Sequence, residues 1–289
     1  MNSPRFVCPH SKALLRSFAG RAVAVRVADV ADNADAAADV RNSGNELFCV
    51  IVDTILPLSE IEFHEDQLSI PLAVMTPSMG SFRALARNVD ALRRSAIRVY
   101  LPCNNSDNLA ALRILSSLGI HVCAQFVTSA NDWEALTDLM TYAVLGRSPH
   151  ASIEPFSFIA ANYNPHSNLP WGLIEFDDPS RFLHLDEEGH VALSRDELKR
   201  GLFVAQSVDE LGSPAVASAI SERENRWRRF FTDNHPCASC AGWKVCLGRF
   251  SDELPADRGC ARLFTELIEV ATMLKRSTSH RDEGGIWRP

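Results

Sequence analysis

The sequence predicts an α/β protein built on a parallel sheet, and three observations carry that prediction. Short apolar runs recur about every 25–30 residues between positions 20 and 160, helical patterns fill the intervals, and each run is buried-strand in character. The runs are 22–28 (AVAVRVA), 47–52 (LFCVIV), 72–75 (LAVM), 97–101 (IRVYL), 120–126 (IHVCAQF) and 153–159 (IEPFSFI). Each is four to seven residues long and rich in Val, Ile, Leu and Phe, as strands covered on both faces require. Between them, Phe82, Leu85, Val89 and Leu92 share one helical face, and Leu109, Leu112, Leu115 and Leu118 a second, with Ser106 placed to start that helix and Gly119 to end it. Trp133, Leu136, Met140 and Val144 form a third stripe, entered through Asn131 with Glu134 three residues on. Six such units imply right-handed crossovers; a barrel, closed or partial, and a doubly wound open sheet both satisfy the pattern. No Gly-rich phosphate loop follows a run, which argues against dinucleotide binding.

Composition excludes several function classes. The formal charge of −7 opposes bulk affinity for nucleic acid or anionic lipid, and no apolar run reaches bilayer length. The first twenty residues carry no signal-type apolar region, and Cys8, Cys49, Cys103 and Cys123 are scattered as buried free thiols are. A cytoplasmic protein with no nucleic-acid or membrane partner is expected.

Past residue 160 the composition changes. Residues 162–170 (NYNPHSNLP) form a turn-rich connector, and 182–193 (FLHLDEEGHVAL) read as a β-hairpin turning at Asp186 to Gly189. A short run at 201–205 leads to a helix from about Pro214 to Phe231, and a closing helix carries Leu263, Leu267, Val270 and Leu274. The expected division is 1–165 for the α/β part, 166–212 for connector and hairpin, 213–276 for a Cys-rich part, and 277–289 for a loose tail.

Chemistry concentrates in the Cys-rich part. Cys237, Cys240, Cys246 and Cys260 are spaced C-x2-C-x5-C-x13-C. Two thiolates three positions apart curl onto one ion or cluster, and two more complete a four-sulfur cage suited to Zn2+ or to an iron–sulfur cluster. A zinc ribbon pairs two C-x2-C knuckles, whereas this chain has one. A redox pair of thioredoxin type is disfavoured, because Cys237 follows a helix and a His-Pro turn rather than a strand.

These residues resemble the SPASM/twitch extension of radical S-adenosylmethionine (radical SAM) enzymes. The hairpin Asp186-x-x-Gly189-x-Val191, the short run and helix after it, and Cys237, Cys240 and Cys246 followed by Leu247-Gly248 match that extension's order. The upstream units are similar to the superfamily's partial (β/α)6 TIM-like barrel. The resemblance implies a [4Fe–4S] cluster on Cys237, Cys240 and Cys246 with Cys260 as fourth ligand, zinc being the alternative. It also implies a precursor peptide or small protein, or a maturation enzyme, as partner. The departures are as informative. The C-x3-C-x2-C motif that chelates SAM through its cluster is absent, the loop at 29–35 after the run at 22–28 holds no cysteine, and Ala192, Leu193, Ser194 and Phe250 stand where further cysteines often occur. SAM binding is therefore not expected, and an accessory member without radical chemistry is the leading expectation. An enzyme with an unidentified barrel site and a zinc-stapled binding scaffold are the alternatives.

Other candidates carry weaker signals. Cys103, Asn104, Asn105, Asp53, Thr76 and Glu154 sit at or near strand ends, where α/β barrels place functional groups. They form no recognisable acid–base pair, and Cys103 reads more simply as a small loop residue. His10, His64, His121, His150 and His166 show no metal-ligand spacing. Trp243 and Phe250 are expected to cover the cage. Arg226-Trp227-Arg228-Arg229 is the one basic cluster, either a solvated helix face or a receiver of acidic peptide.

Overall fold

Strands laid down in chain order make the centre of the computed structural model, which describes residues 4–63, 69–94, 96–126, 131–169, 171–251 and 259–283. They are β1 (Arg5–Pro9), β2 (Ala22–Val27), β3 (Glu46–Asp53), β4 (Leu72–Met75), β5 (Ile97–Pro102), β6 (His121–Gln125) and β7 (Ile153–Glu154), followed by β8 (Phe182–Leu185) and β9 (Val191–Ala192). The sheet order is β7-β6-β5-β4-β3-β2-β1-β8-β9, parallel throughout except for the β8/β9 hairpin. The protein is thus a mixed α/β fold on a mostly parallel nine-stranded sheet. The order β1 to β7 never reverses, so the sheet has no switch point of doubly wound type.

Helices α1 (Lys12–Ser17), α2 (Asn33–Asn42), α3 (Phe82–Leu85), α4 (Val89–Arg94), α5 (Ser106–Ser117), α6 (Trp133–Leu145) and α7 (Phe156–Asn162) occupy the crossovers and the segment after β7. Period-two alternation explains which side chains meet them. Phe6 and Cys8, Val23 and Val25, Val50 and Val52, Leu72 and Val74, and Val99 and Leu101 join one core with Leu15, Ala36, Val40, Leu112, Leu115, Leu136 and Met140 of the helices. The intervening residues Val7, Ala24, Cys49, Ile51, Ala73, Met75, Tyr100 and Cys123 face the other way and form a second core.

That second face is covered by the chain itself. Ile174, Phe176 and Phe182 fill it, the last two rings meeting edge-on at 5.4 Å. Tyr100 donates its hydroxyl to the Ile174 carbonyl at 2.8 Å, and buried His184 holds the Phe176 carbonyl at 2.7 Å through Nε2. Burial pushes the His184 imidazole down to about 4, so the ring is neutral near pH 7 and Nε2 is its donor.

The remaining helices are α8 (Arg195–Lys199), α9 (Pro214–Glu224), α10 (Arg228–Thr232), α11 (Trp243–Cys246) and α12 (Gly259–Glu283). Several expectations need correction. The first strand is β1, not the run at 22–28; its charged and polar neighbours disguise a five-residue strand that is buried between β2 and β8. The run at 153–159 is a two-residue strand, because Pro155 lacks an N–H for the ladder and the chain turns there into α7. Residues 201–205 make one isolated bridge, Val191 to Ala205. The helix expected over 214–231 is broken at Asn225 into α9 and α10. Phe82 is half exposed, and the caps are Asn105 and Asp132, one residue from the positions expected. The tail expected from 277 continues helically as α12 to Glu283, while 284–289, His64 and the loop at 252–258 lie outside the described residues.

Phe182 belongs to β8 and to the covering layer together, so Phe182→Ala should cost about 3–5 kcal/mol of stability, measured by equilibrium urea denaturation.

Candidate metal centre

The cysteine segment is built from short pieces held by local caps. After α10 the chain turns through Asn234 (φ 50°), and His235 accepts from the Cys237 amide at 3.2 Å through Nδ1, capping a single 3-10 turn at Pro236–Ser239. The Cys240 amide donates to the Cys237 carbonyl at 3.2 Å, closing the knuckle, and the Trp243 amide donates to the Cys240 carbonyl at 3.2 Å. α11 then ends in two left-handed residues, Leu247 (φ 52°) and Gly248 (φ 73°). Glycine is required at 248 twice over, because a Cβ there would run into the Phe230 ring. Cys260 arrives on the first turn of α12, whose Gly259 lies against Trp133 with no room for a side chain.

All four expected ligands are free thiols and lie in one electrostatic neighbourhood. Burial lifts the Cys260 thiol to about 12, reinforced by Cys246, Cys240 and Cys237. The Cys246 sulfur receives the backbone N–H groups of Phe250, Gly248 and Arg249, which favour the thiolate, yet burial outweighs them and raises it to about 11. Cys237 is raised too, by burial and then by Cys240. With pKa values this high, Cys246 and Cys260 hold their protons near pH 7 in the absence of a metal, and a bound metal must displace them. The donor set is all-sulfur, and this soft chemistry suits zinc or iron–sulfur. Tetrahedral zinc, with Zn–S of about 2.3 Å, draws its sulfurs to about 3.8 Å apart, whereas a four-iron cubane spreads them further. Among the described residues no three of these sulfurs lie within 4.8 Å of one another.

Comparison with protein-family profiles, with curated proteins and with solved structures finds no match to this chain.

The cage is fastened to the sheet through a segment whose role the sequence reading missed. The Trp171 indole donates to the Val245 carbonyl at 2.9 Å, the Leu169 amide donates to the Lys244 carbonyl at 3.0 Å, and Lys244 donates to the Pro165 carbonyl. Arg249 pairs with buried Glu175, lies 3.6 Å from Asp177, and stacks 4.7 Å from the Trp171 ring centroid. Its amide donates to the Cys246 carbonyl at 3.0 Å while its side chain grips the residues beside Ile174 and Phe176. The signal was available: an Arg just after the third cysteine and an acidic residue inside an apolar stretch. Phe250 packs inward, 5.0 Å from Trp133, 5.2 Å from Phe126 and 5.9 Å from Phe264, whereas Trp243 stacks outward on Trp227 at 5.0 Å.

The strand-end candidates are not gathered into a site. Asp53 pairs with Arg195, which also donates to the Met75 sulfur at 2.9 Å. Glu154 accepts from the Phe158 amide at 2.8 Å and lies 4.0 Å from Arg98. Thr76 donates to the Leu56 carbonyl at 2.6 Å, Asn105 caps α5, and Asn104 accepts from the Asn105 amide group. Cys103 is buried, and burial holds its thiol protonated. His10 pairs with Asp39, His121 with Ser152, and His150 with the Ala151 carbonyl. Asp186, Glu188 and His190 draw their ligand atoms within 4.8 Å, but Asp186 is already engaged by the His190 ring and by both backbone amides, as the hairpin turn requires.

Burial, offset in part by Arg249, pushes the Glu175 carboxyl from 4.5 up to about 7. A raised carboxyl pKa means that the folded chain binds a proton the unfolded chain has released; the resulting stabilisation is complete below about pH 4.5 and lost as pH rises through about 7. Glu175→Gln should therefore lose less stability than the parent between pH 5 and 7.5, by on the order of 1–2 kcal/mol, in paired urea titrations.

Proposed function

We propose that the chain is an iron–sulfur protein of the radical SAM/SPASM group that has no radical-generating cluster of its own. It serves peptide or protein maturation, docking a substrate or passing electrons to a partner enzyme. The observation that carries this reading is the convergence of Cys237, Cys240, Cys246 and Cys260 from separate short elements, with three backbone N–H groups turned toward the Cys246 sulfur. Such N–H donors stabilise sulfur-borne charge and tune a cluster's potential.

The rest of the chain supports an accessory role. Strand order without reversal, with the crossover helices on one face, suits a partial (β/α) barrel. The face that such a barrel would turn inward is packed with Ile174, Phe176 and Phe182, and the strand-end side chains are committed to structural contacts. No C-x3-C-x2-C motif occurs anywhere in the chain, and the turn after β1 is His10-Ser11. When bound, the cluster would supply one-electron chemistry or rigidity, while the thiols hold it and Arg249 balances charge beside Cys246.

Anaerobic purification followed by iron, sulfide and zinc analysis tests the cage. About four irons per chain are expected for a cubane, with loss of the cluster on Cys240→Ala; stoichiometric zinc without sulfide would replace this reading with a zinc-stapled scaffold. Calorimetry should detect no SAM binding, and tight binding with reductive SAM cleavage would overturn the accessory role.

A further inference from the structure

The thiol cage has an outer side, and its surface chemistry differs from the rest of the chain. Trp227, Phe231 and Trp243 contact one another, with centroids 5.0 Å apart for the two indoles and 6.0 and 5.4 Å from each to Phe231. The group stays at the surface, and Phe231 is 46% exposed. Cations frame it: the Arg228 guanidinium lies 5.5 Å from the Trp227 ring centroid, and the Lys244 ammonium lies 5.9 Å from that of Trp243. In a chain of net charge −7, this segment concentrates aromatic and cationic groups on one face. Trp and Arg are the side chains that most often dominate binding energy at protein interfaces, and a solvent-facing ring cluster has lost contacts that a partner would supply. The face borders Cys240, whose carbonyl accepts from the Trp243 amide.

We propose that this aromatic–cationic face docks an acidic peptide segment, its carboxylates meeting Arg228 and Lys244 and an apolar side chain covering Phe231. Charge complementarity selects the occupant. A basic segment would meet two like charges, and a second copy of this chain would need its own acidic surface to fit the same rings. Calling that segment part of a maturation substrate or partner rests on the proposed function; the docking chemistry itself does not.

The test uses the intact 289-residue chain, purified anaerobically, and a fluorescein-labelled peptide of about twelve residues of alternating Glu and Leu. Counterparts carry Lys for Glu or Ser for Leu. Fluorescence anisotropy should report binding of the Glu/Leu peptide that weakens with added salt, at least tenfold weaker binding of either counterpart, and at least tenfold weaker binding by Arg228→Glu and by Phe231→Ser. Equal binding of the Lys peptide, or unchanged binding by both variants, would overturn the proposal. So would sedimentation showing that the parent chain self-associates through this face, and that both variants abolish it. Metal content, measured on the same samples, separates the two ideas. Failure of the iron-loaded parent chain to bind the Glu/Leu peptide sinks the docking face alone, and a parent cage without iron but with normal peptide binding sinks the cluster alone. Circular dichroism of both variants must match the parent, and Arg228→Lys should restore binding if charge at this place is what matters.

Discussion

The buried Arg249–Glu175 pair is the contact on which the arrangement of sheet, covering segment and cage depends. Burial is costly for both charges; Arg249 offsets part of the cost that raises the Glu175 carboxyl to about 7, and removing Arg249 would leave Glu175 buried without its cation. Arg249 is three residues beyond the third cysteine, and Glu175 adjoins Ile174 and Phe176, which cover the sheet. The pair therefore fixes the cysteine segment against the covering segment. Trp171 repeats the link through its indole bond to Val245 and its ring beneath Arg249. Moving the cage would uncouple the layer over the sheet, and unpacking the layer would strand Arg249.

The same coupling bears on what the sheet can do. In parallel α/β proteins, ligands gather at the carboxyl ends of the strands because the loops there are free to vary. Here Asp53 is paired with Arg195, Arg26 donates to the Leu185 carbonyl at 2.8 Å, and Glu154 is held by the Phe158 amide. Asp53 and Glu154 read as candidate site residues when only their positions are known, and their contacts give them a structural duty. A cleft of about 270 Å3 opens just past the carboxyl ends of β2 and β3, beside Asp29, Val30, Thr54, Leu56 and Glu60, and Arg26, Asp53 and Glu154 are not among its lining residues. The chemical interest of the chain accordingly shifts from the strand ends to the thiols and to the aromatic surface outside them.

Burial and packing act together on the protonation of the four thiols. Each amide aimed at Cys246 lowers the cost of a thiolate, but the surrounding apolar mass raises it more. Three neighbouring thiols raise Cys260 further. Were a metal bound there, its uptake and the release of these protons would be one event. Phe250, packed among Trp133, Phe126 and Phe264, excludes water on the inner side, while the Trp227–Trp243 stack lies on the outer side.

The sequence by itself determined what is local. Alternating apolar runs located β2 through β6, helical stripes located α5 and α6, and the hairpin turn at Asp186 to Gly189 was legible because glycine there takes φ 90°. Cysteine spacing singled out Cys237, Cys240, Cys246 and Cys260, since C-x2-C is a property of one turn of chain. It could not reveal β1, too short and polar at its ends to stand out, nor that Pro155 would cut the last run to two residues. Tertiary structure alone decided which face of the sheet is filled, because Ile174 and Phe182 reach it from far along the chain, and which charges pair. Asp53 and Arg195 are 142 residues apart, and Glu175 and Arg249 are 74 apart. Such pairs leave no periodic trace in the sequence; they are selected by the desolvation of a buried charge, which exists only once the chain has folded around it.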